Sequence, residues 1–485
     1  MDRIWIYTLL ALILYLIQKI YKIITSPLAH LPGPLYTSLT RLPLKLSIIT
    51  GKSIYFIHAL HENHGPIVRI SPDEVSISSL PEFKEIHRVG SPFFKSKWYE
   101  KFVTTARPGV FDMRDPKVHA ARRRLFARAF SKSELRAAWE GVVREKVGLV
   151  VRKMKDELDG ENGRCDVLKW WTFLATDVAG YLMFGEDFGM VHAGVKNEYT
   201  HVLESTMKGS GIAAELPIIG SIARYLPIAS LQTMFRASEY LSSYGGRAVT
   251  NARANSDSSR NIFAGMIYES EKAGGTGSLT DLDVVTEAGN LIVAGSDTTA
   301  VTLTYLVWAV LSQPLLQREV EEEVRALGGY DDARLESLPL LNAVVKETLR
   351  LYGAAPGSLP RAVPEGGATL GGYFIPEDVT VSTQSYTIHR DEQIFPSPDV
   401  FDVTRWLGDM PGPAQLAFSP FGTGARTCLG IHLAYMELRL AAAEFFRECR
   451  GVKLAEETTP ESMRPENYFL IAPAGHRCDI VRGYQ

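Results

Sequence analysis

The hydrophobic pattern changes character several times along the chain. Ile4 to Ile17 is apolar without a charge, and the apolar character resumes through Ile24 after Gln18, Lys19 and Lys22. At about 1.5 Å per residue, some 21 residues span roughly 30 Å, the thickness of a bilayer core. Residues 1–25 are therefore expected to form an N-terminal membrane anchor. Lys19 and Lys22 can snorkel to the interface. Asp2 and Arg3 cancel at the other end, so the excess of basic residues places the following chain in the cytosol. No small-residue cleavage site follows the apolar run, which argues against a cleaved signal peptide. Pro27 and Leu31-Pro32-Gly33-Pro34 cannot continue a helix, so residues 26–36 read as a stiff hinge leading into a domain of residues 37–485.

Within that domain the pattern predicts a short helix at Tyr55 to His64. Strands follow at Pro66 to Ile70 and Glu74 to Ser78, with a turn at Ser71-Pro72-Asp73. From Pro116 to Leu327 it is mainly helical. The interruptions are an apolar stretch from Gly209 to Pro227, read as a loop at a pocket mouth or a membrane-dipping segment, a polar loop from Asn251 to Arg260, and a glycine-rich break from Ala273 to Ser278. Thr280-Asp281-Leu282-Asp283 resembles a capping box. Apolar periodicity then runs to Leu311, so a helix of some 32 residues, about 48 Å long, is expected to cross the domain. Leu338 to Tyr352 continues as helix. Ser358 to Val363, Ala368 to Leu370, Tyr373 to Ile375 and Val379 to Thr383 read as strands, and Tyr468 to Ile471 with Cys478 to Val481 as a hairpin. The fold class is mainly α with a minor β region, with no internal repeat.

Composition narrows the function. The chain has 485 residues, is 46% hydrophobic and carries a formal charge of −3. It has the means for a large core but no basic excess with which to neutralise nucleic-acid phosphates. Its cysteines, Cys165, Cys428, Cys449 and Cys478, form no CxxC pair and have no zinc-ligand spacing with histidine. Four thiols in so long a chain make no disulfide framework, which fits a reducing compartment.

Cys428 carries the chemistry. It lies in Phe421-Gly422-Thr423-Gly424-Ala425-Arg426-Thr427-Cys428-Leu429-Gly430, just before a helical pattern from Ile431 to Phe446. Glycine-rich backbone lets a flat ligand approach. A helix N-terminus stabilises a thiolate, and Arg426 adds a cation. Such a thiolate suits the axial position of haem iron; a buried structural cysteine is the plain alternative. The pattern Phe-x-x-Gly-x-Arg-x-Cys-x-Gly resembles the haem-binding signature of the cytochrome P450 family. In that resemblance Cys428 is the iron ligand, with Phe421, Arg426 and Gly430 also holding the cofactor.

Further motifs extend the resemblance across nearly the whole chain. Ala294-Gly295-Ser296-Asp297-Thr298 looks like the oxygen-activating helix motif. Gly295 leaves room for dioxygen and water, and Asp297 with Thr298 is the implied catalytic proton relay. Glu347-Thr348-Leu349-Arg350, with Arg405 in Phe401-Asp402-Val403-Thr404-Arg405-Trp406, is similar to the family's buried structural brace. His119-Ala120-Ala121-Arg122-Arg123 resembles the segment that binds haem propionates. His119 departs from the tryptophan of many members, and Arg361 and Arg426 fit two further positions. Arg122 and Arg124 read as solvated. Lys117, Arg122, Arg123, Arg124, Arg128, Lys132 and Arg136 form a basic run with only Glu134 opposed, which the resemblance assigns to docking an electron donor.

The resemblance, closest in wording to fungal microsomal members of secondary metabolism, implies a cytochrome P450 fold preceded by one transmembrane helix. It also implies haem b, and insertion of one oxygen atom from O2 into a hydrophobic small molecule such as a polyketide, terpenoid or alkaloid intermediate. Electrons would come from NADPH through NADPH–cytochrome P450 reductase. The implied location is the endoplasmic reticulum membrane, single-pass, with the catalytic domain facing the cytosol. The substrate pocket is expected around Phe93 to Phe111, Gly209 to Pro227, the helix face before Gly295, Leu359 and the Phe469 turn. The alternatives are a haem-thiolate isomerase or dehydratase that needs no reductase, which the Asp297-Thr298 pair disfavours, a non-catalytic haem sensor, and an anchored protein without haem.

Overall fold

The computed structural model describes residues 2–103, 107–196, 209–216, 225, 245–247, 249–251, 261–272 and 279–483. The expected loop at 251–260 apart from residue 251, the break at 273–278 and most of the stretch 217–227 lie outside them. Residues 209–215 are helical.

The helix Asp281–Leu311 is the axis of the molecule. Thr280 caps it through a capping box in which its side chain accepts from the Asp283 amide and Asp283 accepts from the Thr280 amide. Most of its side chains are buried, because it is walled on several sides. Its largest partner is Val167–Phe184, and Pro339–Tyr352 and Ile431–Glu448 also pack against it. Val167–Phe184 is buried around nearly its whole circumference, from Trp170 and Trp171 to Met183 and Phe184, as expected for a helix without a polar face. Asp281–Leu311 has the length and hydropathy of a membrane span, yet 67% of its apolar window is buried inside the protein. It is a core helix.

A four-stranded sheet flanks this helical body. Ile67–Ser71 runs antiparallel to Glu74–Ile77, which runs parallel to Thr380–Ser382, and Arg361–Ala362 closes the edge antiparallel to Thr380–Ser382. The register opposes Val75 to Val381 and Arg361 to Val381. The segment 26–36 is docked on this sheet: Leu28 and Leu31 are 2% and 7% exposed, in one cluster with Ile67, Val75 and Ile77, and the Arg69 amide donates to the Pro32 carbonyl at 2.8 Å. Before it, Asp2–Ile24 is a continuous 23-residue helix, with Trp5, Leu14, Ile17 and Ile24 exposed.

The helix and strand positions read from periodicity are met to within a few residues, but the C-terminal hairpin is corrected. Ile471–Pro473 returns on Pro465–Asn467, with Ile471 opposite Asn467. Asp479–Val481 pairs with Arg164–Asp166 and Lys453–Leu454. The tight turn at Phe469 has φ +118° without a glycine to signal it, and the partner of 479–481 lies some 300 residues away, where alternation along the chain carries no information.

Candidate active site

Cys428 is presented by a loop whose geometry requires glycine. Gly422 and Gly424 have φ +67° and +66°, and a Cβ on Gly424 would stand 1.8 Å from the His87 carbonyl oxygen. The Cys428 amide donates to the Phe421 carbonyl at 2.8 Å and closes the loop. Gly430 then leads into the helix Ile431–Glu448, and its amide donates to the Cys428 sulfur. The thiol opens onto a cavity of about 440 Å³ lined by this loop, the long helix and the rim described below. Burial pushes the thiol pKa up, and the Gly430 amide and the Arg123 guanidinium pull it back only in part. Arg426 is therefore not the cation that serves the sulfur. Its guanidinium donates to the carbonyls of Met113 and Arg114 at 2.7 and 3.1 Å, and Arg123, from the helix Pro116–Ala127, takes that place. A thiol kept protonated by burial ionises when it ligates a metal.

His119, Arg123, Arg361 and Arg426 all line the same cavity, brought there from the helix Pro116–Ala127, the edge strand Arg361–Ala362 and the cysteine loop. Arg361 donates to the Tyr99 hydroxyl at 3.2 Å and to the carbonyl of Pro360 at 3.2 Å. His119 is 4% exposed. Its pKa falls to about 3, by burial and then by Arg426, Lys95 and Arg123, while Arg426 falls to about 10 by burial and Arg361. Among the described residues these crowded cations have no ion-pair partner, and that is the property a dianionic ligand corrects. Two propionates on one edge of a haem whose iron meets Cys428 fit this donor set.

The long helix presents Asn290, Ala294, Gly295 and Thr298 to the same cavity. The Thr298 hydroxyl donates to the Ala294 carbonyl at 2.6 Å, and Thr302 repeats the bond to Thr298 at 2.8 Å. A Cβ on Gly295 would stand 3.4 Å from that of Ala179, so this glycine also serves the packing of Val167–Phe184. Asp297 is half-buried on the same turn but does not line the cavity. Tyr99, Phe102, Phe111 and Phe469 form an aromatic wall, with Phe102 and Phe469 centroids 4.7 Å apart. Leu359 and residues 209, 210 and 213 of the expected mouth also line it. A buried acid that the sequence reading passed over, Glu437 on the cysteine helix, is 3% exposed and bonded to Thr299. Burial raises its pKa to about 8.

The brace beneath the loop is wider than its three expected members. Arg350 holds Glu347 through two bonds, Nε to Oε2 at 2.8 Å and Nη2 to Oε1 at 2.7 Å, with both side chains fully buried. Arg405 is an ion-pair neighbour at 3.4 Å, but its Nε makes no hydrogen bond and its Nη2 donates to the Ser397 carbonyl. The remaining acceptor sites of Glu347 go to the Trp406 indole N–H at 2.8 Å and the Asp402 amide at 3.0 Å. Trp406 was legible only as a neighbour of Arg405.

The basic run is also corrected. Arg122 is not solvated: it donates to Asp283 and Glu287 at 2.8 and 2.9 Å. Lys132 pairs with Glu336, and Arg136 with Asp332 and Glu336 at 2.7 and 2.8 Å. These carboxylates come from more than 150 residues away, so the local reading counted Glu134 alone. Lys117 and Arg124 are exposed.

Comparison with known proteins agrees with this geometry. Residues 32–478 match the family model described as Cytochrome P450. The chain is 44% identical over 469 residues to cytochrome P450 monooxygenase stcB of Emericella nidulans, covering 94% of this chain and 89% of that protein. It is 40% identical over 487 residues to cytochrome P450 monooxygenase cypX of Dothistroma septosporum, covering 96% and 94%. It is 40% identical over 483 residues to cytochrome P450 monooxygenase aflV of Aspergillus parasiticus, covering 96% and 94%. With a cysteine loop, a basic rim and a glycine-bearing helix around one cavity, and with relatives of this kind along almost its whole length, the chain belongs to the cytochrome P450 family and is a haem-dependent monooxygenase.

Proposed function

We propose that this enzyme inserts one oxygen atom from O2 into a hydrophobic small molecule, an intermediate of fungal secondary metabolism. It would draw electrons from NADPH through NADPH–cytochrome P450 reductase. The observation that carries the reading is that Cys428, Gly295 and Thr298 line a single cavity. Haem b ligated by Cys428 supplies the oxygen-activating iron, and electron donation from the thiolate favours O–O cleavage. His119, Arg123, Arg361 and Arg426 hold its propionates, while Phe421 and Gly430 shape the loop that holds the sulfur. Thr298 holds a hydroxyl proton at the cavity wall, and Asp297, behind it, connects that wall to the outside. Tyr99, Phe102, Phe111 and Phe469 favour a largely apolar, ring-bearing substrate. The amide of Asn290 has a buried nitrogen without a hydrogen-bond partner among the described residues, and it is the natural contact for a polar atom on the substrate, since a buried polar group left unmatched is costly.

Residues 1–25 act as an anchor in the endoplasmic reticulum membrane, with the catalytic domain of residues 37–485 in the cytosol. The support is a 23-residue helix that carries apolar side chains on its exposed surface. Lys117 and Arg124, exposed on the helix that reaches Cys428 through Arg123, suit an acidic electron donor. The test is spectroscopic. The reduced carbon-monoxide complex is expected to show the red-shifted Soret band of thiolate ligation, and Cys428→Ser to abolish it; an intact band in that variant overturns the ligand assignment. Reductase-dependent NADPH consumption on adding substrate separates a monooxygenase from an isomerase or a sensor.

A further inference from the structure

Glu215 holds the back of the aromatic wall from outside the cavity. It belongs to the helical stretch 209–215, whose residues Gly209, Ser210 and Ala213 line the cavity. At 3.6 residues per turn its side chain leaves the helix roughly 200° away from that of Ala213, off the lined face. Glu215 is 4% exposed, and its Oε1 accepts the indole N–H of Trp98 at 3.1 Å. Trp98 is not among the residues that line the cavity. Its ring stacks on Phe102, which is, with centroids 4.7 Å apart and planes 19° from parallel. The Phe469 ring lies 6.1 Å from it. One carboxylate therefore fixes the ring against which two members of the wall rest.

A carboxylate at this depth needs partners. Its cation is shared: Arg41 stands 3.8 Å from Glu215 but 2.5 Å from Glu74 and 3.2 Å from Asp73. Among the described residues the indole N–H is thus the bond that satisfies the Glu215 side chain. The main chain around it is fixed by other means. Lys45 Nζ, from the helix Leu42–Ile49, donates to the Glu215 carbonyl at 2.8 Å. Gly211 abuts the Phe469 turn so closely that a Cβ there would stand 2.7 Å from the Tyr468 carbonyl oxygen. The stretch 209–215 is seated by these contacts, which leaves the Glu215–Trp98 bond to govern how the indole ring stands behind Phe102.

We propose that Glu215 is a positioning residue for substrate selection. By locking Trp98 behind Phe102 it sets the shape of the aromatic wall, so that ligands reaching the wall depend on Glu215 and ligands too small to reach it do not. This rests on the reading that the cavity receives a ring-bearing substrate beside a haem held by Cys428. A carboxylate that contributes to stability alone is the competing account.

The experiment uses the full chain with haem bound and two probes, imidazole and bifonazole, the second an imidazole that carries a biphenyl and a phenyl group. Binding of each is followed by its Soret shift, and the readout is the ratio of the imidazole Kd to the bifonazole Kd. Glu215→Ala is expected to lower this ratio about tenfold, in line with the loss of one bond to a charged acceptor, with imidazole affinity unchanged. Glu215→Gln keeps an acceptor for the indole and should hold the ratio near that of wild type. Trp98→Phe keeps a ring on Phe102 without the donor and should lower the ratio as Glu215→Ala does. The double variant should fall no further, because both substitutions remove the same bond. An unchanged ratio in Glu215→Ala, additive losses in the double variant, or equal losses for both probes overturns the proposal. If Glu215→Ala does not load haem, Glu215→Gln and Trp98→Phe decide, and equal ratios in those two overturn it. A wild type without the thiolate band sinks the haem reading and this proposal with it. A wild type that has the band but no preference for bifonazole overturns the ring-bearing substrate and the proposal together. A wild-type preference that Glu215→Ala retains sinks this proposal alone.

Discussion

Arg122 donates to Glu287 at 2.9 Å, and this bond, with its second to Asp283 at 2.8 Å, joins the helix that carries His119 and Arg123 to the helix that carries Thr298. Glu287 is fully buried and also accepts the Val110 amide at 3.0 Å, so the same carboxylate fixes the segment leading out of the aromatic wall. Removing Arg122 leaves that carboxylate without its cation. Arg122→Leu is expected to cost about 3 kcal/mol, as breaking one partner of a buried pair does. Arg124→Leu, two residues away and exposed, should stay within about 0.5 kcal/mol. Denaturant unfolding of both variants checks the contrast, and equal effects would return Arg122 to the solvated role that local sequence suggests.

The brace under the cysteine loop predicts an order of effects. Arg350 makes bidentate contact with Glu347 and also donates to the carbonyls of His389, Pro398 and Val400. Arg350→Met should therefore cost about 3–5 kcal/mol. Trp406→Phe keeps an aromatic ring but loses the fused pyrrole ring with its donor to a charged acceptor, and the lost bond alone is worth about 1.5–3 kcal/mol. Arg405→Met, whose Nε makes no hydrogen bond, should cost least. Haem content after purification follows the same order, and a larger loss from Arg405→Met than from Trp406→Phe would contradict it.

What could be read from the residues and what could not divides along contact distance. The loop around Cys428 was legible because its glycines, cysteine and following helix are contiguous and their geometry is local. The long helix was legible because Thr280 and Asp283 cap it within one turn and its apolar period is sustained to Leu311. The pairing of 479–481 with 164–166, the partners of Arg122 and the exchange of Arg426 for Arg123 beside the sulfur depend on segments more than 150 residues apart. No periodicity encodes those choices.

Glu437 predicts a pH dependence. Its carboxyl is buried on the cysteine helix, bonded to Thr299, and burial raises its pKa to about 8. The folded value lies above the unfolded one near 4.5. The neutral form therefore contributes stability in full below about pH 4.5, and that contribution is lost as pH rises through about 8. Between pH 6 and pH 9 this amounts to about 2–3 kcal/mol. Glu437→Gln, which mimics the neutral acid, should show a correspondingly smaller loss of stability over the same range. Parallel melting curves of wild type and variant from pH 6 to 9 would refute it.

Gly424 predicts a steric failure. With φ +66° and the His87 carbonyl 1.8 Å from the place of a Cβ, Gly424→Ala must push the loop off the helix Leu80–His87. The Cys428 sulfur moves with it, since the Cys428 amide closes the same loop on the Phe421 carbonyl. The expected outcome is a folded protein with little bound haem, read from the absorbance ratio of haem to protein. Gly328→Ala, where nothing lies within 4 Å, is the control and should load normally.

Thr298 carries the last prediction, which tests the proposed relay apart from the fold. Its hydroxyl donates to the Ala294 carbonyl at 2.6 Å, one helical turn back, while the side chain lines the cavity. Thr298→Val has nearly the same shape and no proton to give. The helix loses one side-chain bond to a carbonyl that its main chain already uses, so stability and the substrate-induced spectral shift should change little. If the hydroxyl serves proton delivery at the cavity wall, product formed per NADPH consumed should fall at least tenfold, the lower end of what a positioned acid contributes being about a hundredfold. NADPH oxidation itself should continue, because electron entry on the Cys428 side is untouched. Asp297→Asn, on the same turn but off the cavity, should depress coupling in the same direction without altering substrate affinity. Unchanged coupling in both variants would mean that protons reach the cavity by another route, and the Asp297–Thr298 relay would have to be abandoned.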